Sequence, residues 1–497
     1  MKVYSFFYKF ILAIGMVLLL FIGITSVILH GHLDYVKERM LFYRNDVIFY
    51  VLLAVLVIAI WKLRDIIGRI PAGKLFLACS AVYAIAGLYI AFRVPEALKD
   101  DPYMIYKYAQ QFLKGDYKGL TEYYYLRYFP YQLGMVTFEM GLLSIWNSTR
   151  IFFVANLVLV LVTNFFQWKA TELLFGNDKV TTWSVLLSFG FVPMLFYILF
   201  VYGSIPGYFF VAVGFYFFIR YLKKESVIYA AIGALCLGVS LIFKPNYIIA
   251  VMSVAIVLLL DLFKKISVKR VAIIALVIVL SILPNKVFTD MWRHISGINF
   301  DGGAPWILNV TMGLQPEGVG DGEELGGWYN AYNHDTFEAT GFSVEESNRI
   351  AIEDMKALIA YWSGGEADTL RFFRDKIWST WCDPLFQLTY VGPMEFSNQR
   401  VADRILHSLY DNDTLEMIIE RYMNLMIVVI YLLSALWCGR KFLSKPTDTE
   451  ALLSLLLFIG GFLFHLISET KSQYVFMYVF GIIPYAASGM FSRKKTL

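Results

Sequence analysis

Two adjacent carboxylates, Asp100 and Asp101, stand in the stretch RVPEALKDDPYMIYKYAQQFLKGDY, which begins at Arg93 directly after an apolar run. One interpretation is structural, because Asp101 followed by Pro102 is typical of a helix start at which the carboxylate caps the first turn. The other is chemical, because a carboxylate at a helix start is held rigidly and is kept ionised by the helix dipole. Capping does not exclude catalysis, so both acids are candidate catalytic residues.

Three cations stand apart from the other basic residues. Arg127 lies in EYYYLRYFPYQLG among five tyrosines, Lys244 in IFKPNYI and Lys471 in ISETKSQYVF. An aromatic belt at the membrane surface explains most of the tyrosines, and snorkelling to that surface is an alternative for the lysines. A guanidinium fork and isolated ammonium groups near a membrane also suit a lipid phosphate. Together with the acids, these cations indicate phosphate-linked lipid chemistry with a polar acceptor.

The elements that must position these residues are membrane helices. The 497-residue chain is 58% hydrophobic and 17% aromatic, with a mean hydropathy of +0.60, which is outside the range of soluble domains. Its four cysteines have no disulfide or metal spacing and are interpreted as packing residues: Cys79, Cys236, Cys382 and Cys438. A bilayer crossing takes about 20 apolar residues. The sequence predicts twelve apolar spans: 10–29, 47–61, 75–92, 151–168, 181–200, 208–219, 227–243, 247–263, 271–288, 423–438, 452–468 and 475–491.

Lysine and arginine in short loops predict the orientation of the chain. The segments KLRDIIGRIPAGK, RYLKKES, KKISVKR and GRKFLSK and the tail SRKKTL are expected in the cytoplasm, together with both termini. This requires that residues 131–147, which include Glu139, do not cross the membrane. We interpret them as an amphipathic or re-entrant helix at the outer interface. The candidate site then faces the extracytoplasmic side of a multi-pass plasma membrane protein.

The fold class that follows is an all-α polytopic membrane protein with about 12 transmembrane helices and a mixed extracytoplasmic domain before the last three. In the outer domain, Ser343 and Glu346 have capping-box spacing and predict one helix, a second is expected from Glu366, and the glycine-rich stretch from Phe300 predicts an ordered loop. The chain divides into five segments: 1–92 with three spans, 93–148 as a large outer loop, 149–288 with spans four to nine, 289–422 as the outer domain, and 423–497 with the last three spans.

Several motifs follow one another in a fixed order. An acidic pair in the first outer loop precedes YFPYQLG, an interfacial helix, an outer Lys-Pro turn, MGL and GGWYN in the late outer domain, and a final ETKSQYVFMYVFGIIPY. This arrangement resembles the GT-C membrane glycosyltransferases, which include the protein O-mannosyltransferases and the aminoarabinose transferases of lipid A. It is similar in particular to multi-pass members from Gram-positive bacteria. The resemblance covers most of the chain from Arg93 onward.

The resemblance implies a polyprenyl-phosphate sugar as donor and an acid of the first outer loop as the base that activates an acceptor hydroxyl. On this chain the base would be Asp101, with Asp100 as the alternative. The other implied roles are binding of the donor phosphate by Lys244, Lys471 and Arg127, and positioning of the substrate by Glu469, Tyr474, Tyr124 and Tyr128. The chain departs from its relatives at Gln473, where they often carry arginine, so that Lys471 is the only cation in ETKSQY.

These features predict an inverting glycosyltransferase that acts on the outer face of a bacterial plasma membrane. The acceptor is expected to be a hydroxyl of a cell-surface polymer such as a teichoic acid or wall polysaccharide. No cofactor and no nucleic acid are expected, and a divalent ion could bind the acidic pair but is not predicted, because the cations can replace it. A secondary transporter, which commonly shows repeated halves, and a membrane glycan polymerase are the alternatives. The enzyme hypothesis requires Asp100 and Asp101 to meet Lys244 and Lys471 at one cavity.

Overall fold

The computed structural model describes residues 2–34, 39–264, 266–316, 325–365, 368–392, 403–410 and 413–491. The basic tail SRKKTL and residues 317–324 of the glycine-rich stretch lie outside these ranges. In chain order the elements are α1 Lys2–Ile28, β1 Leu29–Asp34, β2 Arg39–Arg44, α2 Val47–Ile67, α3 Ala72–Arg93, α4 Asp100–Phe112, α5 Tyr125–Tyr128, α6 Leu133–Leu143, α7 Arg150–Phe175, α8 Asp178–Gly190, α9 Pro193–Phe196, α10 Ser204–Lys224, α11 Val227–Phe243, α12 Ile248–Lys264, α13 Val268–Ser296, α14 Trp306–Gly313, α15 Tyr332–Ala339, α16 Val344–Ser363, α17 Thr369–Trp381, α18 Arg404–Tyr410, α19 Thr414–Leu443, α20 Leu453–Ile467 and α21 Phe476–Gly489.

Nine helices within the described ranges are long and apolar enough to cross a membrane: α1, α2, α3, α7, α10, α12, α13, α19 and α20. For α12 and α20 this length includes the 3₁₀ turn that precedes each helix. A tenth candidate is bent by 52° between α8 and the segment Pro193–Leu199. Two further apolar helices are shorter, α11 with 17 residues and α21 with 14. These elements coincide with the twelve apolar runs of the sequence. The protein is therefore a helical multi-pass membrane protein, while the exact number of crossings stays a prediction.

Residues 131–147, which the positions of the basic loops predict not to cross the membrane, contain the short helix α6. Helix α6 has 11 residues, which is about 16 Å of helix and about half of a bilayer core. Glu139 on this helix is completely buried, and α6 packs against α4, α7 and α11. The helix therefore does not present Glu139 on a polar outer face, as an amphipathic interfacial helix would. A short helix enclosed by protein is the arrangement that the re-entrant alternative describes.

A β-hairpin between α1 and α2 was not predicted. Strands β1 and β2 pair antiparallel, with Leu29 opposite Arg44 and Asp34 opposite Arg39. The backbone N–H of Gly31 donates a hydrogen bond to the carbonyl oxygen of Cys382 at 2.8 Å. The hairpin thereby connects the first two membrane helices to the end of α17.

In the late domain, residues 297–410, the described residues form helices α14–α18 joined by loops and contain no strand. The helix predicted at Ser343 is confirmed, and Ser343 Oγ accepts the N–H of Glu346 at 3.2 Å. The second predicted helix begins at Thr369, while residues 366 and 367 lie outside the described ranges. The expected loop from Phe300 contains the two short helices α14 and α15. Helices α14 and α17 both pack against α20, which seats the late domain on the membrane helices.

Candidate active site

The acidic pair and the last loop of the chain line one cavity of about 320 Å³. Its polar wall consists of Lys99, Asp100, Asp101, Lys471, Gln473 and Tyr474. Aromatic side chains form much of the rest, including Phe129, Phe200, Tyr329 and Tyr390. We call this space the acid–lysine cavity. It brings together residues that are more than 370 positions apart in the sequence, at the start of α4 and in the loop after α20.

Asp101 is exposed at the surface of the cavity. Desolvation by the surrounding protein raises the pKa of the Asp101 carboxyl group and the neighbouring Asp100 acts in the same direction, whereas the hydroxyl groups of Tyr125 and Tyr202 and the charge of Lys471 lower it. Asp100 is more open, with 66% of its side chain exposed, and its carboxylate lies 3.9 Å from Lys99 Nζ. Asp101 thus has two tyrosine hydroxyl groups and Lys471 acting on it, whereas Asp100 lies beside Lys99.

The capping interpretation of the acidic pair is wrong. Helix α4 starts at Asp100 with Lys99 as the flanking residue, and no side-chain capping hydrogen bond is formed there. Asp100 has a backbone φ of 50°, in the left-handed region that non-glycine residues seldom adopt. Such strain persists where the surrounding structure determines it, which occurs often at functional sites. Neither carboxylate caps the helix, and both line the acid–lysine cavity.

Two of the predicted phosphate-binding cations lie at or next to this cavity. Lys471 lines it, and Lys471 Nζ lies 5.7 Å from the centre of the Trp328 ring. Lys244 occupies the predicted turn between α11 and α12, and its Nζ donates to Ser204 Oγ at 3.0 Å. Lys244 Nζ is also 5.2 Å from the centre of the Tyr474 ring, which belongs to the cavity wall. Lys471 faces the cavity directly, and Lys244 stands behind Tyr474.

Glu469 and Lys471 are carried by a loop that the late domain holds along its length. The backbone N–H of Glu469 donates to Asn309 O at 2.8 Å, and that of Thr470 donates to Gly327 O at 3.0 Å. Ser472 Oγ donates to Asp383 Oδ2 at 2.6 Å. Burial raises the pKa of Glu469, and the charge of Lys471 and a hydrogen bond from Tyr474 oppose that rise. The late domain therefore determines where this pair of charges stands.

Two glycines of the late-domain motifs permit this close approach. A Cβ added to Gly313 of MGL would lie 2.1 Å from the carbonyl carbon of Ser468. Gly327 of GGWYN has a φ of 80°, and a Cβ there would lie 2.8 Å from Gly313 O. A side chain at Gly313 would force the loop away from the late domain, and one at Gly327 would collide with Gly313 and Lys376. The motif glycines thus affect the cavity only through the backbone positions that they permit.

Lys376 on α17 is a buried residue that also contacts the loop after α20. Its side chain is 1% exposed, and its Nζ donates to the carbonyl oxygens of Gly313 and, at 2.9 Å, Ser468. Burial lowers the pKa of Lys376 to about 7, although the charge of Glu469 acts in the opposite direction. A single buried amine therefore connects α14, α17 and the loop that carries Lys471.

We expect Lys376→Met to remove a pH-dependent part of the stability. A lysine has a pKa of about 10.4 in an unfolded chain, so between about pH 7 and that value the unfolded state binds more protons than the folded state. The free energy of unfolding must then rise with pH across this interval. Thermal unfolding of the purified protein at about pH 7 and about pH 9.5 measures the rise, which should be smaller in the variant. An equal rise in both proteins, or the same loss in exposed Lys356→Met, would contradict this assignment.

Five predicted site residues do not line the acid–lysine cavity. Lys244 and Glu469 lie next to its wall residue Tyr474, and the other three lie elsewhere. Arg127 forms a bidentate ion pair with Asp301, at 2.6 and 3.2 Å, and lines a different cavity. Tyr128 donates to Glu338 at 2.9 Å and stacks on His334, with ring centres 4.0 Å apart. Tyr124, which flanks the start of α5, is exposed. The structure therefore separates these three residues from the acids.

Sequence reasoning missed several residues that the structure places at the site. Tyr125 and Tyr202 act on Asp101, and Lys99 Nζ lies 3.6 Å above the ring of Tyr390. Lys99 could have been found because it directly precedes the acidic pair. Tyr125 stands among five similar tyrosines, and Tyr202 and Tyr390 carry no local signal at all.

The fold and the cavity define an α-helical multi-pass membrane protein in which carboxylates and lysines meet beneath a late helical domain. No protein-family profile and no curated protein matches the chain. Among the residues that the structure describes, no group of three or more His, Cys, Asp or Glu side chains is arranged to hold a metal ion. The expectation that no divalent ion takes part stays a prediction.

Proposed function

We propose that the protein is an inverting glycosyltransferase of the GT-C type. It would move a sugar from a polyprenyl-phosphate donor to a hydroxyl of a cell-surface glycan or polymer, on the outer face of a bacterial plasma membrane. The observation that supports this most strongly is the acid–lysine cavity, which combines Asp101 with Lys471 at the junction of membrane helices and late domain. The motif resemblance and the predicted cytoplasmic position of the basic loops support the same assignment.

The proposed reaction uses the cavity in one displacement. The Asp101 carboxylate accepts the proton of the acceptor hydroxyl as the oxygen attacks the anomeric carbon. The bond between that carbon and the lipid phosphate oxygen breaks, and the electron pair leaves with the phosphate. Lys471, with Lys244 behind Tyr474, stabilises the negative charge that develops there. The aromatic wall, which includes Tyr329 and Tyr390, provides faces on which a sugar ring can pack.

The direct test is sugar transfer in proteoliposomes that contain the purified full chain. A panel of polyprenyl-phosphate monosaccharides serves as donors, and a cell-wall extract serves as acceptor. Donor consumption with appearance of glycosylated acceptor supports the proposal. Movement of a solute across the vesicle membrane without donor consumption would support the transporter alternative and overturn the proposal.

Transfer is expected to decline in acid at a pH above that of an ordinary aspartate. Desolvation raises the pKa of Asp101, and the base must be ionised, so activity is present above the raised pKa and is lost as the pH falls through it. Tyr125→Phe removes a hydroxyl that lowers this pKa and should move the acid limb of kcat/KM to higher pH. Tyr103→Phe, an exposed tyrosine of α4, is the matched control and should leave the limb unchanged. A limb that moves to lower pH in Tyr125→Phe would contradict the assignment.

A further inference from the structure

A second cavity lies beside the first and is larger, about 830 Å³. It is formed by the loop before α5, the end of α13 and the connection to α14. Its polar lining consists of Thr121, Glu122, Arg127, Arg293, Asn299 and Asp301. We call it the arginine cavity. The proposed displacement of the lipid phosphate uses none of these side chains.

Three polar side chains of this cavity, Arg127, Asp301 and Arg293, are held in place by contacts within the protein. Besides its ion pair with Asp301, Arg127 donates to Phe342 O at 3.2 Å, and its guanidinium lies 5.2 Å from the centre of the Phe337 ring. Arg293 Nε donates to Phe300 O at 2.9 Å. Rigid polar groups lose little conformational entropy on binding. The cavity therefore has the preorganisation of a binding site.

The charges of the lining side chains balance. Arg127 and Arg293 supply two positive charges, and Glu122 and Asp301 supply two negative charges. A phosphodiester polymer would meet carboxylates as well as guanidinium groups, and half of these contacts would be repulsive. A neutral polyhydroxylated ligand can donate to the carboxylates and accept from the guanidinium groups and from the amide of Asn299. The chemistry favours an uncharged glycan.

One short helix separates the two cavities. Tyr125, at the start of α5, acts on Asp101, whereas Arg127 lines the arginine cavity and Phe129 lines the acid–lysine cavity. The segment that carries Asp301 packs closely on this wall, because the N–H of Ala304 donates to Tyr128 O at 2.9 Å. The wall between the two cavities is therefore formed by α5, whose first residue acts on the candidate base.

We propose that the arginine cavity is the acceptor subsite and that its ligand is a neutral glycan rather than an anionic phosphodiester polymer. This inference rests on the proposed glycosyl transfer for its biological role, but binding can be measured without any reaction. It also gives Arg127 a different task from the one expected from the sequence, since this residue would position the acceptor instead of binding the donor phosphate.

The binding experiment uses the full chain in detergent and saturation-transfer NMR. Cellotriose and maltotriose are the neutral probes, and a glycerol-phosphate oligomer is the anionic probe. Glu122→Ala combined with Asn299→Ala should weaken binding of the neutral probe by about tenfold, since two hydrogen bonds are lost. Both residues are exposed, which keeps the fold intact. Glu345→Ala, an exposed acid of α16, is the matched control and should bind as the native chain does.

The outcomes separate this inference from the proposed function. Unchanged binding in the double variant, no binding of either neutral probe, or tighter binding of the anionic probe would each overturn the acceptor subsite. In the transfer assay, the double variant should raise the acceptor KM while leaving the donor KM unchanged. If the native chain consumes no lipid-linked donor but still binds the neutral probe in this cavity, the proposed reaction fails and the binding site stands.

Discussion

Replacing Asp101 with asparagine is expected to lower the rate of sugar transfer by about 10²- to 10⁴-fold. The amide keeps the size and shape of the side chain but cannot take the proton of the acceptor hydroxyl. The cavity around it should persist, because no capping hydrogen bond depends on this carboxylate. Initial rates with a fixed polyprenyl-phosphate sugar and saturating acceptor measure the effect, with circular dichroism to confirm the fold.

Two further variants test whether the loss of rate in Asp101→Asn is caused by removal of the catalytic base. Asp178→Asn makes the same change in the first turn of α8, at an exposed position outside the cavity, and should leave the rate unchanged. Asp100→Asn should cost less than Asp101→Asn, because Asp100 is two-thirds exposed and lies beside Lys99. A larger loss in Asp100→Asn would transfer the role of base to Asp100. Native rates in both cavity variants would show that neither acid is the base.

Features that depend on local sequence were predictable. The helix at Ser343 follows from a hydrogen bond between residues three apart, and the structure contains that bond. The apolar runs depend only on length and hydropathy, and each coincides with a helix. Only one half of the predicted capping box is formed: Ser343 accepts the N–H of Glu346, but the Glu346 side chain pairs with Arg349 at 2.6 Å. Local sequence thus predicted the membrane helices and the helix at Ser343, but not the β-hairpin and not all side-chain partners.

Features that depend on distant partners were not predictable. Arg127 in isolation looks suited to phosphate, but its charge is taken by Asp301, which is 174 residues away. In the sequence, Lys376 occupies an ordinary polar position of an amphipathic helix. Only the fold shows that its Nζ donates hydrogen bonds to the carbonyl oxygens of Gly313 and Ser468. The meeting of Asp101 with Lys471 was expected from the residue types and from the motif resemblance, because no local pattern links positions so far apart in the sequence. Tertiary contacts of this kind need the fold or an alignment.

Lys471→Gln is expected to reduce kcat by about 10²- to 10³-fold. Gln473 provides no charge beside it, so Lys471 is the cation of this loop that faces the cavity. Its ammonium group would stabilise the departing lipid phosphate, a contact that strengthens as the bond to the sugar breaks. The effect should therefore fall mainly on kcat rather than on the donor KM. Single-turnover transfer at saturating donor measures it.

The same variant has a signature that simple misfolding would not give. The charge of Lys471 lowers the pKa of Asp101, so its removal should also move the acid limb of transfer to higher pH. Lys471→Arg keeps the charge and should restore both the limb and part of the rate. Lys107→Gln, an exposed lysine of α4, is the matched control and should change neither. If Lys471→Gln lowers kcat while the acid limb stays in place, Lys471 acts at a distance from Asp101 and the two do not share one reaction centre.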